Sequence, residues 1–224
     1  MDNNFSYSTF FIENWNTQFP NSDEAQRLYH ILLALFSPLS NNKVAKPKLL
    51  EVGSGRGWLS NILNLYSDVT GIEPEKEVSE YSQKIFPQIR FFNAGLNEFT
   101  KNNPNTKYDI IVCSEVIEHV PYNEQDIFIK NLSTLLIDCG TLILTTPRQE
   151  IFNKWKKNRK EFQTIENWLT EKDVETKLLK HGFSIKSHYS FSKFKPKQRY
   201  FIKKLSLMLK VNYGDVYQIV SATK

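Results

Sequence analysis

Short apolar runs alternate with amphipathic stretches along most of this chain, and polar turns separate them. Runs of strand length begin near Lys48, Asp68, Arg90, Asp109 and Gly140. Stretches with apolar residues at helical spacing begin near Trp58, Val78, Glu124 and Thr170. Strands that alternate with helices predict an α/β protein with a parallel sheet and helices on both of its faces.

The pattern continues on both sides of this region. Residues 22–39 follow a capping segment and carry apolar residues at helical spacing: Leu28, Ile31, Leu32, Leu35 and Phe36. Residues 183–191 and 216–222 alternate between apolar and polar positions, which predicts a terminal pair of strands. With 224 residues and 40% apolar residues, one α/β core can take up the whole chain. We therefore expect one domain over residues 1–224.

The first strand ends in an acid and a turn with glycine at every second position. Gly53, Gly55 and Gly57 can adopt positive φ and lie directly against a ligand, and the helix that begins near Trp58 directs free N–H groups toward the turn. A dinucleotide fingerprint would need glycine at Trp58, and the Gly-Lys-Ser/Thr of a P-loop is absent. The spacing therefore disfavours both phosphate-binding motifs.

An acid two residues before Gly-x-Gly-x-Gly resembles motif I of the class I S-adenosylmethionine-dependent methyltransferases. The resemblance implies that the loop binds the methionine end of the cofactor and that Glu51 lies near its ammonium and sulfonium charges. Glu73 ends the second strand, 18 residues after Gly55, and is followed by Pro74. A carboxylate at that position can accept hydrogen bonds from both ribose hydroxyls. A turn without a ligand and a surface glutamate would give the same two local patterns.

Two later segments extend the resemblance. Residues 90–96 form a third strand and a turn of small residues, and the resemblance places the adenine against this turn: Asn93, Ala94, Gly95 and Leu96. Residues 108–121 resemble motif IV, in which a buried strand runs into an acidic turn that contains a histidine. We expect the start of that turn to line the cofactor site: Ser114, Glu115 and Val116.

His119 is the first candidate for the catalytic base, because imidazole titrates near neutral pH and this position faces the pocket in the family. A histidine that only braces the turn is the alternative, and Asp126, Tyr122 and Arg148 are weaker candidates. Glu115, Glu118 and His119 also form Glu-x-x-Glu-His. This grouping binds a divalent metal in small-RNA 2′-O-methyltransferases, together with a downstream histidine. Residues 148–166 contain no histidine, so we expect no metal site.

The domain divides into three parts. Residues 1–47 supply an aromatic N-terminal segment and a helix, residues 48–147 bind the cofactor, and residues 148–224 form the substrate side with a basic insertion at 192–215. The N-terminal aromatics predict either a lid over cofactor and acceptor or a segment docked in a groove elsewhere. They are Phe5, Tyr7, Phe10, Phe11, Trp15 and Phe19.

The basic insertion allows three interpretations. Residues 192–210 carry seven lysines and arginines and no acid, in a chain with a net charge of +5. The segment could form a solvated helix packed on the domain, a basic amphipathic helix that meets an anionic or lipid-linked acceptor at a membrane surface, or a nucleic-acid contact. No RNA-binding pattern accompanies it, so nucleic acid is the least favoured partner.

The N-terminus lacks the basic start and apolar stretch of a signal peptide, and we expect a cytoplasmic protein, with membrane contact through 192–210 as the alternative. Cys113 and Cys139 are too few for a disulfide framework or a zinc cluster, so both are expected to be reduced packing residues.

The resemblance covers about residues 49–147. Closest in pattern are the ubiquinone-biosynthesis type O-methyltransferases and related enzymes that act on sugars and other small metabolites, and the pattern does not separate these subfamilies. It implies a Rossmann-like, seven-stranded, mostly parallel sheet of order 3-2-1-4-5-7-6 with helices on both faces. We expect transfer of a methyl group from S-adenosylmethionine to an oxygen of a small or lipid-linked metabolite, with S-adenosylhomocysteine as product. An RNA-directed methyltransferase and a non-catalytic S-adenosylmethionine-binding module are the alternatives.

Overall fold

A seven-stranded sheet forms the centre of the structure, a computed structural model that describes residues 19–41, 46–152, 166–191 and 216–224. The strands are β1 Lys48–Val52, β2 Asp68–Glu73, β3 Arg90–Asn93, β4 Tyr108–Ser114, β5 Leu136–Pro147, β6 Ser184–Phe191 and β7 Tyr217–Thr223. The described helices are α1 Ser22–Asn41, α2 Trp58–Leu63, α3 Lys76–Ile85, α4 Leu96–Asn102, α5 Gln125–Leu135 and α6 Glu171–Lys180.

The strands lie in the order β3-β2-β1-β4-β5-β7-β6, which confirms the predicted topology. The first five strands pair in parallel, and β7 runs antiparallel to both β5 and β6. The strand order reverses at the junction of β1 and β4. Since ligands of open α/β sheets bind where the order reverses, at the carboxyl ends of the strands, this junction fixes the position of the candidate site.

Two apolar clusters cover the faces of the sheet. One contains Leu50, Ile111 and Leu142 with the inner sides of α5 and α6, and the other contains Leu49, Ile110 and Ile143 with the inner side of α1. Adjacent residues of one strand thus enter opposite clusters, because successive side chains of a strand point to opposite faces. The central strands are buried on both sides, as a doubly covered parallel sheet requires.

The structure corrects the prediction for the fifth strand. It begins at Leu136, directly after α5, and not near Gly140. Leu136 pairs with Tyr108, and residues 137–139 are exposed before the regular pairing resumes. Cys139 is exposed and has a φ of 63°, so the prediction of a packing residue is wrong there, whereas Cys113 is fully buried.

A second correction concerns α4, a helix of seven residues that the apolar pattern did not predict. Its Leu96 and Phe99 are buried, and the rest of the helix is mostly exposed. The N-terminal aromatics before Phe19 and the basic insertion lie outside the described residues. Within the described ranges, no helix combines the length and the apolar character needed to cross a bilayer.

Candidate functional site

The glycine loop between β1 and α2 has the backbone that its sequence predicts. Gly53, Gly55 and Gly57 have φ values of 70°, 51° and 78°, a region that side chains with a Cβ rarely adopt. A Cβ on Gly53 would lie 2.4 Å from Cγ2 of Val116, and one on Gly57 would lie 2.9 Å from Cζ of Phe91. The loop is therefore closely packed, and any residue other than glycine at these positions would strain the backbone.

Glu73 anchors this loop from the end of β2. Its Oε2 accepts a hydrogen bond from the backbone N–H of Gly55 (3.0 Å), and its Oε1 accepts one from the N–H of Glu75 (3.1 Å). Ser82 of α3 donates to the carbonyl oxygen of Gly55 (2.6 Å). Burial raises the pKa of Glu73 to about 7, although the two backbone hydrogen bonds favour its charged form.

Glu51 lies at the centre of the site, on β1 and almost fully buried. Its carboxyl accepts a hydrogen bond from the hydroxyl of Ser60 in α2. Burial raises the pKa of Glu51 to about 8, with Glu73 adding to the effect and Ser60 opposing it. A cation placed beside this carboxyl would lower the pKa again, so the position suits a positively charged ligand group.

The turn after β3 closes one side of the loop. The amide nitrogen of Asn93 donates to the carbonyl oxygens of Glu73 (3.2 Å) and Pro74 (2.7 Å), which joins the ends of β2 and β3. Ala94 and Leu96 are buried, and Pro74 and Asn93 are exposed. Gly95 is half-buried, and a Cβ there would meet nothing within 4 Å. The predicted adenine residues are thus brought next to the predicted ribose residue.

The turn after β4 closes the other side. Val116 packs on Gly53, and Glu115 has a φ of 58°, an uncommon value for a residue other than glycine. Thr145 at the end of β5 donates to Oε1 of Glu115 (2.9 Å) and lies 2.9 Å from the hydroxyl of Ser114. Burial raises the pKa of Glu115 to about 7, against the opposing charge of the Arg27 guanidinium.

Glu118 and His119 follow in the short 3-10 helix Ile117–His119. Glu118 is buried, and its Oε2 accepts a hydrogen bond from Thr146 (3.0 Å). Burial raises the pKa of Glu118 to about 7. Nε2 of His119 lies 3.9 Å from Oε1 of Glu118, and about a third of the histidine side chain (34%) is exposed. His119 is therefore partly accessible at the carboxyl end of β4, and its role as base stays a prediction.

Arg27 is a site residue that the sequence analysis missed. It lies on α1 with its guanidinium carbon 5.3 Å from the ring centroid of Tyr217, and its Nε is buried without a hydrogen-bond partner. Burial acts to lower the pKa of Arg27, but the nearby Glu115, Tyr217 and Glu24 raise it above its ordinary value. This buried N–H donor is thus available to an acceptor such as an anionic ligand group.

Among the described residues, no three histidine, cysteine, aspartate or glutamate side chains come together in an arrangement that could hold a metal ion. Glu115 and Glu118 instead face Thr145 and Thr146, respectively.

The profile of the Methyltransferase domain family matches residues 23–188, which is most of the chain and includes every strand that lines the site. This chain belongs to the methyltransferase domain family. The match confirms the family that the glycine loop and the motif IV turn predict.

Curated relatives of this methyltransferase domain match over about half of the chain. The ubiquinone biosynthesis O-methyltransferase of Rickettsia prowazekii is 34% identical over 110 residues, which are 47% of this chain and 42% of that protein. The mitochondrial ubiquinone biosynthesis O-methyltransferase of Rattus norvegicus is 32% identical over 124 residues, 50% of this chain and 35% of that protein. The chain thus spans less than half the length of these relatives.

Solved structures share the fold of the domain at low sequence identity. The crystal structure of magnesium protoporphyrin IX methyltransferase from Synechocystis PCC 6803 with bound SAM is 15% identical. It superimposes with a TM-score of 0.68 and covers 97% of this chain and 93% of that one. At this identity the similarity shows the fold alone.

Proposed function

We propose that this methyltransferase domain binds S-adenosylmethionine at the carboxyl ends of β1, β2, β3 and β4 and transfers its methyl group to an oxygen of a small, lipid-linked acceptor. One observation carries the proposal: two buried carboxyls lie beside the glycine loop at the point where the strand order reverses, Glu51 hydrogen-bonded to Ser60 of α2 and Glu73 hydrogen-bonded to the backbone of Gly55. Glu51 offers its carboxyl to a cation, and Glu73 offers its carboxyl to a diol. The glycine backbone can contact the part of the ligand between these two groups.

Each end of the cofactor has a chemical counterpart. Glu51 is placed to bind the ammonium group, and Arg27 is placed to bind the carboxylate of the methionine part, because buried opposite charges favour both contacts. Glu73 is placed for the ribose hydroxyls and Ala94 and Leu96 for the adenine. The backbone of the Ser114–Val116 turn would close the pocket from the side of β4. The charge and polarity of these residues therefore match the groups of the cofactor.

Methyl transfer from a sulfonium requires the protein mainly to orient the reacting groups. When bound, S-adenosylmethionine supplies a methyl group on a sulfonium, and transfer is an in-line displacement by the acceptor oxygen. The protein holds the acceptor in line and excludes water, and His119 takes the proton of an acceptor hydroxyl at Nδ1, which leaves Nε2 beside Glu118. The buried carboxyl of Glu118 lies 3.9 Å from Nε2 and orients the imidazole.

The names of the curated relatives and the charge of the chain support the acceptor class. Those relatives are ubiquinone biosynthesis O-methyltransferases, matched over about half of this chain. Residues 192–210 add seven positive charges without an acid, which suits an anionic or lipid-linked acceptor presented at a membrane surface. We propose peripheral membrane contact through this segment.

Calorimetric titration with S-adenosylmethionine and S-adenosylhomocysteine tests the cofactor site. Micromolar binding, about 8 kcal/mol, is expected for the wild-type protein. Glu73→Ala should abolish it, because both the ribose contact and the anchor of Gly55 are removed, and Glu73→Gln should weaken it less. Glu98→Ala on the exposed side of α4 is the matched control and should bind like wild type. A wild-type protein that binds neither ligand contradicts the proposed function.

A further inference from the structure

The last non-glycine residue of the glycine loop forms a buried ion pair. Arg56 lies between Gly55 and Gly57, and only 3% of its side chain is exposed. Its two terminal nitrogens donate to the two carboxylate oxygens of Glu24, at 2.8 and 2.6 Å. The second nitrogen also donates to the backbone carbonyl of Phe19 (3.3 Å). This paired geometry fixes the direction of both side chains as well as their distance.

The same carboxylate begins helix α1. Oε2 of Glu24 accepts a hydrogen bond from the backbone N–H of Asn21 (2.7 Å), while Oδ1 of Asn21 accepts from the N–H of Glu24 (3.0 Å). This reciprocal arrangement is a capping box, which satisfies free N–H groups at the start of a helix. Arg56 is therefore bound to the first turn of α1 at the group that defines where the helix starts.

Arg27 lies three residues further along α1, on the same side of the helix as Glu24. Its guanidinium faces the ring of Tyr217, and Glu115 contributes the largest attraction to its charge. Because one turn of helix is rigid, the position of Glu24 on the glycine loop sets the position of Arg27 over the turn after β4. The contacts run from Arg56 through Glu24 and α1 to Arg27.

We propose that Arg56 is a positioning residue: by binding Glu24 it holds α1 on the glycine loop and so places Arg27 where it binds the carboxylate of the cofactor. The inference rests on the proposed function. A buried ion pair is a weak source of stability, since apolar residues of similar volume often pack as well, but it specifies one orientation. Arg56 thereby links the glycine loop, which contacts the cofactor, to Arg27, which binds the carboxylate of the cofactor.

The affinities for two ligands distinguish this positioning role of Arg56 from a general structural role. S-adenosylhomocysteine contains the amino-acid part, whereas 5′-methylthioadenosine has the same adenosine and sulfur without it. Arg56→Gln should lower the affinity for S-adenosylhomocysteine by about tenfold or more, as expected for the loss of a charged hydrogen bond. It should change the affinity for 5′-methylthioadenosine by less than about twofold. Arg56→Lys, which keeps the charge but cannot bind both oxygens in plane, should show an intermediate loss of S-adenosylhomocysteine affinity.

The double variant Glu24→Gln/Arg56→Gln guards against misfolding, because it leaves no unpaired buried charge. It should lose no more S-adenosylhomocysteine affinity than Arg56→Gln alone if the two residues act as a unit. Arg90→Gln is the matched control, since Arg90 makes an exposed ion pair with Asp68 on the same sheet, at 3.8 Å.

The outcomes distinguish failure of the positioning role of Arg56 from failure of the proposed function. If the wild-type protein binds both ligands and the Arg56 variants lose both equally, or lose neither, the positioning role is wrong and the cofactor site stands. If the wild-type protein binds neither ligand, the proposed function is wrong and the positioning role falls with it.

Discussion

Four carboxyl groups meet at the ends of the central strands, and burial raises the pKa of each. The pKa is about 8 for Glu51 and about 7 for Glu73, Glu115 and Glu118, against an ordinary 4.5. The folded protein therefore holds protons that the unfolded chain has already released. Their contribution to stability is complete below about pH 4.5 and is lost as the pH rises through 7 to 8.

Binding of S-adenosylmethionine should reverse this effect at Glu51. The ammonium and sulfonium charges favour the ionised carboxyl, so binding at pH 7 should release about one proton, and affinity should rise from pH 6 to pH 8. Calorimetry in two buffers of different ionisation enthalpy measures the proton count. Glu51→Gln should weaken binding, abolish most of the proton release and flatten the pH dependence.

Glu98→Gln, an exposed glutamate on α4, serves as the control and should release as many protons as wild type. Proton uptake on binding, or a release as large in Glu51→Gln as in the wild-type protein, would show that Glu51 does not face the cationic end of the cofactor.

Site residues beside glycines and at strand ends could be predicted from the sequence. Residues that pair with partners far away in the chain could not. Glu51, Glu73 and His119 follow apolar runs, so their places at the strand ends could be predicted. Arg56 pairs with Glu24, which is 32 residues away in the chain, and Arg27 lies three residues after Glu24 on α1. One signal was available: helical spacing puts Glu24 on the same side of α1 as the buried Ile31, where a charged group needs a partner.

The contact between the glycine loop and the turn after β4 joins two elements of the sheet. Gly53→Ala places a Cβ 2.4 Å from Val116 in a left-handed conformation. The conformation alone costs about 1–2 kcal/mol, and the two turns must also separate. We expect a lower free energy of unfolding, measured in urea, together with loss of S-adenosylhomocysteine binding.

Gly95→Ala is the matched substitution, because Gly95 has a φ of −73° and a Cβ there meets no atom within 4 Å. It should change the free energy of unfolding by less than about 0.5 kcal/mol. Wild-type binding and stability in Gly53→Ala would mean that the contact with Val116 is not required.

Elements with a clear apolar period could be predicted, and short ones with mixed patterns could not. The early part of β5 contains Asp138 and the exposed Ile137 and Cys139, so no alternation marks it as a strand. Helix α4 buries only Leu96 and Phe99, too few positions to define a helical period. Both are held by tertiary contacts, β5 through Tyr108 and α4 through packing on α5.

At the scale of the molecule, charge is concentrated in one segment. The seven positive charges of residues 192–210 exceed the net charge of +5, so the rest of the chain is slightly negative. We expect co-sedimentation with vesicles that contain anionic lipid, weakened by salt, since each lysine near such a surface contributes about 1 kcal/mol. Lys203→Gln/Lys204→Gln should reduce the bound fraction strongly.

Lys84→Gln/Lys101→Gln removes the same charge from exposed positions on α3 and α4 and should leave vesicle binding close to wild type. Equal loss in both double variants would point to a general effect of net charge. Absence of binding to anionic vesicles at low salt would contradict the proposed membrane contact.

The order of the strands could be predicted for the whole molecule because four motifs occur in the order of a known family. Periodicity alone predicts alternating strands and helices, and it does not say which strands are neighbours. The antiparallel position of β7 between β5 and β6 followed from the resemblance. The aromatic N-terminal segment and the basic insertion lie outside the described residues, and their roles stay predictions.

The place of β7 also affects how the chain is made. It is the last of the seven strands to leave the ribosome, yet it pairs with β5 on one side and with β6 on the other. Until β7 emerges from the ribosome, the nascent chain presents an open edge at β5 and a β6 without its partner strand, which strands of neighbouring chains can join. A translational pause before β7 has emerged would therefore favour aggregation.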